Sequence, residues 1–192
     1  ILEIRYLEDS KMTVKVGING FGRIGRCTLS HISQSLRNDI EVVKVNATGP
    51  LATAAHLIKY DSVHGRYPHE ITVGNRTLDL GRGEIEMFST YNMDELDWSG
   101  CDVVMECTGN FNDGHKAKKH IERGAKRVLL SAPGKNVDKT VVFGVNDELM
   151  AANDTMISNG SCTTNCLAPL ARVLDAAFGI ESGIMTTIHS YT

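Results

Sequence analysis

The spacing of hydrophobic residues changes several times along this chain, and each change marks a predicted element. From Thr13 the run TVKVGI is apolar and β-branched, which is typical of a buried strand. The segment NGFGRIGR follows, and apolar residues then recur at near-helical spacing, at Cys27, Leu29, Ile32 and Leu36. The pattern predicts a strand, a glycine-rich turn and a helix.

The same alternation continues for most of the chain. Between Val63 and Ser89, short alternating pieces separated by Gly-Asn and Gly-Arg-Gly predict an antiparallel excursion. The other predicted elements are a strand EVVKVN (41–46), a helix LATAAHLIKY (51–60), a strand DVVMEC (102–107), a helix HKAKKHIERG (115–124) and the strands KRVLLSA and TVVFGV. Alternating β and α units predict an α/β fold with a Rossmann-type, doubly wound, mostly parallel sheet.

The two ends of the chain follow different patterns. Residues 1–11 have no clear period and precede Met12, so we expect an N-terminal extension or an expression remnant. Residues 12–159 are expected to form a dinucleotide-binding domain. Residues 160–192 contain a loop, a helix and a β-rich run GIMTTIHSYT ending at Thr192, which would leave an unpaired sheet edge. We therefore expect this segment to begin a second, α+β catalytic domain that is truncated here.

Composition narrows the class of protein. The chain is 42% hydrophobic and 22% charged, with 20 basic and 23 acidic residues, which is typical of a globular domain without a basic stripe. Small molecules or other subunits are therefore more plausible partners than nucleic acid or a membrane surface. No apolar run approaches the roughly 20 residues that span a bilayer, and no leader pattern precedes the first strand, so we expect a cytoplasmic protein.

The cysteines favour a reducing compartment with a reactive thiol. Five cysteines form an odd set with no small disulfide framework. Cys162 and Cys166 are close in sequence, but no second Cys/His pair completes a tetrahedral zinc site, so we expect no metal.

The first glycine turn has the pattern of a dinucleotide-binding site. Gly20, Gly22 and Gly25 form G-F-G-R-I-G directly after a predicted strand and at the start of a helix. Glycines allow a tight turn and close approach to a pyrophosphate, and the helix start offers free N–H groups. In this context, dinucleotide binding is favoured over a merely structural turn.

The end of the second strand departs from the usual NAD pattern. An acidic residue there normally bonds the ribose hydroxyls and repels a 2′-phosphate, but this position is Ala47. Asn46 and Thr48 can donate hydrogen bonds but carry no charge. The sequence predicts weaker discrimination against NADP, although other groups could equally hold the ribose.

A cysteine and a histidine are the candidate catalytic pair. Cys162 lies where a loop becomes a helix, so the helix N-terminus would stabilise its thiolate. Its own backbone N–H would lie near an oxyanion formed on attack of a carbonyl. His189, on a predicted strand, could pair with that thiolate and exchange a proton. Cys166, one turn later, is predicted to be a buried small hydrophobic residue.

Six sequence blocks together resemble one family. The blocks NGFGRIGR, KYDSVHGR, ECTG, SAP, SNGSCTTNCLAP and TTIHSYT are similar, in order, to those of phosphorylating glyceraldehyde-3-phosphate dehydrogenases, and the resemblance covers Met12 to Thr192. It implies that Cys162 attacks an aldehyde, that His189 activates it, and that phosphate cleaves the resulting thioester to an acyl phosphate. It also implies NAD as cofactor, with NADP possible given Ala47, and a homotetramer completed by a C-terminal half.

The resemblance implies roles for further residues. Ser161, Thr163 and Thr192 match phosphate-binding positions, with donors suited to that role. Arg23 and Ile24 match the pair that contacts the pyrophosphate. The remaining matches line the cofactor cleft: Asn19, Asn46, Thr108 and Ser131.

Three departures limit this transfer. Ala47 replaces the family's usual Asp, and Gly160 stands where most members have Ala, a mild change expected to loosen the turn. The residues that supply an Arg for the substrate phosphate and an Asn for the nicotinamide lie beyond the sequence. Two alternatives stay open: an erythrose-4-phosphate dehydrogenase on the same scaffold, and an inactive dinucleotide-binding fragment.

Overall fold

The computed structural model describes residues 13–189, so the predicted extension and Thr192 lie outside the described residues. Within this range the strands are β1 (Val14–Asn19), β2 (Ile40–Asn46), β3 (Tyr60–Asp61), β4 (Gly65–Arg66), β5 (Thr72–Val73), β6 (Thr77–Asp79), β7 (Glu84–Phe88), β8 (Val103–Glu106), β9 (Arg127–Leu130), β10 (Lys139–Thr140) and β11 (Met156–Ser158). The helices are α1 (Arg23–Gln34), α2 (Leu51–Lys59), α3 (Gly114–Glu122) and α4 (Cys162–Phe178).

One sheet dominates the structure, with the strand order β10-β11-β9-β8-β1-β2-β7-β6-β5. All pairs from β10 to β7 are parallel, whereas β7, β6 and β5 pair antiparallel. The strand order reverses direction beside β1, as in a doubly wound sheet. The predicted α/β Rossmann class and the antiparallel excursion are both confirmed.

The central strands are apolar because both faces of a parallel sheet are covered. Ile18, Val45, Val104 and Leu130 are fully buried or nearly so, each on a different central strand. Trp98 packs so closely on β1 that a Cβ at Gly17 would lie 2.7 Å from its ring, so only glycine fits there. Trp98, in the loop before β8, thus packs directly on β1.

Two predicted strands are wrong. Of the predicted strand TVVFGV (140–145), only Thr140 belongs to a strand, as the last residue of β10. The chain then turns: the Val142 N–H donates to Asn146 Oδ1 (2.7 Å), and Gly144 adopts a φ of 75°. Residues 182–189, including His189, are irregular, since no strand of the described chain pairs with them. No helix is interposed between β9 and β10 either.

The carboxyl ends of the parallel strands meet at one edge of the sheet. Gly20, Thr108 and Ser131 follow β1, β8 and β9 at this edge, and Asn159 follows β11. Ligands of open α/β sheets bind at this position. Between residues 13 and 189, no helix is both long and apolar enough to cross a bilayer.

Candidate active site

The glycine turn between β1 and α1 has the shape that a dinucleotide requires. Gly20 has a φ of 96°, and a Cβ there would lie 2.7 Å from the backbone nitrogen of Thr108. A Cβ at Gly25 would lie 2.1 Å from the Gly20 carbonyl oxygen, so both positions need glycine. A Cβ at Gly22 would meet nothing within 4 Å, which leaves open space where a pyrophosphate could approach the backbone.

A cavity of about 280 Å³ opens at this turn. It brings together five residues predicted from the sequence, namely Asn19, Gly20, Gly22, Asn46 and Thr108. Larger cavities beside α1, including one of about 590 Å³, contain no glycine of the turn and none of the predicted chemistry. The small cavity is therefore the candidate cofactor cleft.

Other predicted cofactor residues lie close by but make different contacts. Arg23 begins α1, and its guanidinium donates to Asp61 and not toward the cleft. Ile24 is about half exposed, and Ser131 contributes no surface to the cavity. Ser131 instead contacts the half-buried thiol of Cys107, whose pKa desolvation raises to about 11.

A buried polar network beneath the cleft was not predicted from the sequence. Asn46 Nδ2 donates to Asn19 Oδ1 (2.8 Å), and Asn19 Nδ2 donates to Glu106 Oε2 (2.6 Å). The same Glu106 oxygen lies 2.9 Å from His120 Nε2, and Trp98 Nε1 donates to His120 Nδ1 (2.9 Å). All five side chains are at most 5% exposed.

The carboxylate of Glu106 is the centre of this network. Burial alone would raise its pKa, but hydrogen bonds from His120, Thr108 and Asn19 outweigh that effect and lower the pKa. The sequence carried one signal of this site, a Glu inside the apolar run DVVMEC. A buried charge needs hydrogen-bonding partners, so that Glu indicated a polar cluster.

The second part of the candidate site lies at the start of α4. Cys162 is the first residue of the helix, and its Sγ lies 2.9 Å from His189 Nε2. This hydrogen bond holds the pKa of the Cys162 thiol below its usual value, and the Thr163 backbone N–H adds to the effect. The geometry brings together the two residues that the sequence singled out, although His189 is not on a strand.

Hydrogen bonds hold the turn that precedes Cys162. Ser161 accepts a hydrogen bond from the Thr164 backbone N–H (2.9 Å), which makes it the N-cap of α4. Gly160 has a φ of 68°, a conformation that glycine adopts without strain. Its N–H donates to Ser158 Oγ (3.1 Å), so the residue is held by β11 and is buried.

The rest of α4 is only loosely covered. None of its residues is buried, so the prediction that Cys166 is buried is wrong: no described element packs over that part of the helix. Pro169 lies inside the helix. Arg172 ties the helix to the loop after β10, donating to the carbonyl oxygens of Gly144 (2.6 Å) and Val145 (2.7 Å).

Two parts of the chain match models of known protein families. The family model for the glyceraldehyde 3-phosphate dehydrogenase NAD-binding domain matches residues 14–114. The family model for the C-terminal domain of that enzyme matches residues 161–192. The first of these models covers the glycine turn and the cleft, and the second begins one residue before Cys162.

Curated relatives give the same result. The chain is 54% identical over 181 residues to glyceraldehyde-3-phosphate dehydrogenase of Cereibacter sphaeroides, covering 94% of this chain and 54% of that protein. It is 55% identical over 183 residues to that of Xanthobacter flavus, covering 94% and 55%. The chain thus spans about half the length of the curated relatives it matches. It belongs to the glyceraldehyde-3-phosphate dehydrogenase family.

Proposed function

We propose that this chain supplies the cofactor cleft and the thiol of an NAD(P)-dependent oxidoreductase that converts D-glyceraldehyde 3-phosphate and inorganic phosphate to 1,3-bisphosphoglycerate. The observation that carries the proposal is the hydrogen bond of 2.9 Å between Cys162 Sγ and His189 Nε2. The glycine turn after β1, whose shape suits a dinucleotide, also supports it. In this proposal residues 12–159 form the cofactor domain, and residues 160–192 begin the catalytic domain.

The proposed chemistry starts at the thiol. With the proton of Cys162 transferred to His189, the thiolate adds to the aldehyde carbon, a C–S bond forms, and the carbonyl electron pair moves to oxygen. Backbone N–H groups at the start of α4 would lie near that oxyanion, and His189 can return or remove its proton. With a dinucleotide bound in the cleft as acceptor, the C–H bond of this carbon would break as hydride, the C=O bond would re-form, and Cys162 would carry a thioester.

The second half of the reaction uses inorganic phosphate. Its oxygen attacks the Cys162 thioester carbon, the C–S bond breaks, and the thiolate leaves with the acyl phosphate formed. Ser161 and Thr163 flank the thiol and offer hydroxyl groups to a phosphate, in keeping with their match to the family's phosphate-binding positions.

Selective alkylation tests the role of Cys162. Iodoacetate should label Cys162 faster than Cys166 in the complete enzyme, because Cys162 has a histidine partner and a lowered pKa. Both thiols are exposed in the part of the chain that the structure describes, and Cys166, one helical turn away, is the control thiol. Activity should fall in step with Cys162 labelling, and equal labelling of both thiols would contradict the assignment.

Turnover with the two aldehydes tests the substrate. The complete enzyme should oxidise glyceraldehyde 3-phosphate faster than erythrose 4-phosphate, and only with phosphate present. The 192-residue chain by itself should show no phosphate-dependent oxidation, because the substrate-phosphate Arg that the resemblance implies lies beyond it. Turnover by this chain alone would refute that dependence.

We also propose a relaxed choice between NAD and NADP. Ala47 leaves no carboxylate at the end of β2, and a groove of about 440 Å³ beside it is also lined by Arg76, whose positive charge suits a 2′-phosphate. NADP should bind within about tenfold of NAD, a gap of about 1.4 kcal/mol. Ala47→Asp should widen that gap in favour of NAD, and a preference of several orders of magnitude in the unmodified protein would exclude the idea.

The proposal extends to assembly and location. A homotetramer built with the C-terminal half, acting in the cytoplasm on small phosphorylated aldehydes, is consistent with the family resemblance. Size-exclusion chromatography with light scattering on the complete enzyme measures the assembly directly.

A further inference from the structure

The network beneath the cleft contains one carboxylate, and each of its two oxygens accepts two hydrogen bonds. We propose that Glu106 is a positioning residue: it fixes the orientation of Asn19, Asn46 and Thr108 in the cofactor cleft without itself forming part of the cavity wall. The inference rests on the proposed function, because the three positioned residues line the proposed cofactor site.

Trp98 determines which nitrogen of His120 carries a proton. An indole N–H can only donate, so the His120 Nδ1 that faces it at 2.9 Å must accept. In the neutral ring the proton is then on Nε2, which donates to Glu106 Oε2 at 2.9 Å. Because Trp98 and His120 are both fully buried, water cannot substitute for either partner. Glu106 Oε2 therefore accepts a hydrogen bond from His120 Nε2.

The two asparagines that line the cleft continue this chain of hydrogen bonds. Asn19 must present its Nδ2 to Glu106, so its Oδ1 faces outward and accepts from Asn46 Nδ2. Asn46 is also held by the Thr90 backbone: the Thr90 N–H donates to Asn46 Oδ1 (3.1 Å), and Asn46 Nδ2 donates to the Thr90 carbonyl oxygen (3.0 Å). An amide side chain can turn over with almost no change of shape, and this chain of bonds selects one of its two orientations. The carboxylate thus orients Asn19 directly, and Asn19 joins it to Asn46, which the Thr90 backbone holds in the matching orientation.

The other oxygen of Glu106 holds the far wall of the cavity. Glu106 Oε1 accepts the backbone N–H of Thr108 (2.7 Å) and also its hydroxyl. With Asn19 and His120 on Oε2, the carboxylate has four donors and no unused side. Thr108 lies against Gly20, so this contact also sets the width of the turn where the pyrophosphate would approach.

Glu106→Gln keeps the shape of the side chain but replaces one acceptor with a donor. If the Gln amide faces Thr108, the Thr108 N–H loses its acceptor. If it faces Asn19 and His120, three donors meet, and Trp98 prevents His120 from changing tautomer. Either orientation misplaces a group of the cleft, at a cost of the order of one buried hydrogen bond. We therefore expect NAD affinity to fall about tenfold or more.

The experiment measures NAD binding to the complete enzyme by calorimetry, with thermal unfolding recorded for each variant. Asp94→Asn is the matched control, since Asp94 is an exposed carboxylate that pairs with Lys119 of α3 (2.8 Å) outside the network. Its NAD affinity should stay within about twofold of the unmodified protein. The rate at which iodoacetate labels Cys162 should be equal in all three proteins, because Glu106 has no contact with the thiol.

Two further measurements keep the inference falsifiable. If Glu106→Gln does not fold, Glu106→Asp retains the charge but is too short to reach both Thr108 and Asn19, and its NAD affinity should also fall. Nitrogen NMR of ¹⁵N-histidine protein should show His120 as the neutral Nε2–H tautomer, with or without cofactor. A proton on Nδ1 would overturn the proposed direction of the network.

The outcomes separate the inference from the proposed function. Weaker NAD binding by folded Glu106→Gln, with Asp94→Asn unchanged, supports the inference. Unchanged NAD affinity in Glu106→Gln, even with a lower unfolding temperature, assigns Glu106 a purely structural role and overturns the inference alone. An unmodified protein that binds neither NAD nor NADP overturns the proposed function, and the inference with it.

Discussion

The cofactor cleft and the thiol site are built in opposite ways. The cleft is supported by a network of side chains at most 5% exposed, in which every member has a partner. The thiol site is exposed: Cys162 and His189 meet across 27 residues of sequence, and no residue of α4 is buried. Packing therefore sets the geometry of the cleft, whereas one hydrogen bond and a helix cap set that of the thiol.

This difference determines how each region responds to change. A buried network loses stability when one member is removed, because its partners cannot turn to water. An exposed pair loses little stability, since solvent replaces each contact, but its chemistry depends on the partner. Stability measurements should thus report on the cleft, and rate measurements on the thiol.

The largest expected effect is on the chemistry of the exposed site. His189→Asn should lower turnover of the complete enzyme about 10²–10⁴-fold by removing the general base, while NAD affinity and stability stay nearly unchanged. It should also raise the pKa of the Cys162 thiol, so that alkylation requires higher pH. His115→Asn, at an exposed position on α3, is the control. Equal turnover in the two variants would remove His189 from the mechanism.

The next effect is on the stability of the buried region. His120→Leu removes the acceptor of Trp98 and one donor of Glu106, so the free energy of unfolding should fall by about 3 kcal/mol. Denaturant unfolding of His120→Leu and of His115→Leu measures the difference. A loss no larger than that of the exposed control would show that the network contributes nothing to stability.

A smaller effect is expected at Gly160, in the turn between β11 and α4. Gly160→Ala forces a residue with a Cβ to adopt a φ of 68°, which should cost about 1–2 kcal/mol of folding free energy. Gly183→Ala, where a Cβ would meet nothing within 4 Å and φ is not positive, should be nearly neutral. Calorimetric unfolding distinguishes them, and equal values would mean that the turn before Cys162 relaxes freely.

The smallest effect concerns Asp61, which holds Arg23 beside the glycine turn. Backbone N–H groups of His64 and Val63, together with Arg23, lower the pKa of Asp61 to about 2. Its stabilising contribution is therefore present above pH 4 and is lost as pH falls toward 2. Asp61→Asn should destabilise the protein slightly at pH 7 and not at pH 2, with exposed Glu70→Gln as control. A difference that persists at pH 2 would rule out this linkage.

Much of the fold could be predicted from local signals. Strand β1, the turn at Gly20 and helix α1 follow from apolar spacing and from glycines that no other residue can replace. The strand predicted at His189 was wrong because β-rich composition forms a strand only when a partner is present. Cys166 was misjudged for a related reason, since burial depends on elements that pack from outside the segment.

The candidate site could be predicted only in part. Cys162 and the glycine turn carry short sequence signatures, and Asn46 was found from its place at the end of β2. The contact between Glu106 and His120 joins β8 to α3, and Trp98 reaches it from a loop, so no local spacing reveals it. The one signal in the sequence is a charged residue in a strand that is otherwise apolar, because a buried charge needs hydrogen-bonding partners.

The proline within α4 makes this helix easier to bend near its middle. Pro169 provides no N–H to the carbonyl of Asn165, and its ring crowds that turn, so the helix can bend there. Arg172 clamps the distal segment to the loop at Gly144 and Val145. The first turn, which carries Cys162, is held separately by the Ser161 cap. Bending at Pro169 would therefore move the distal segment together with the loop after β10 and leave the thiol in place.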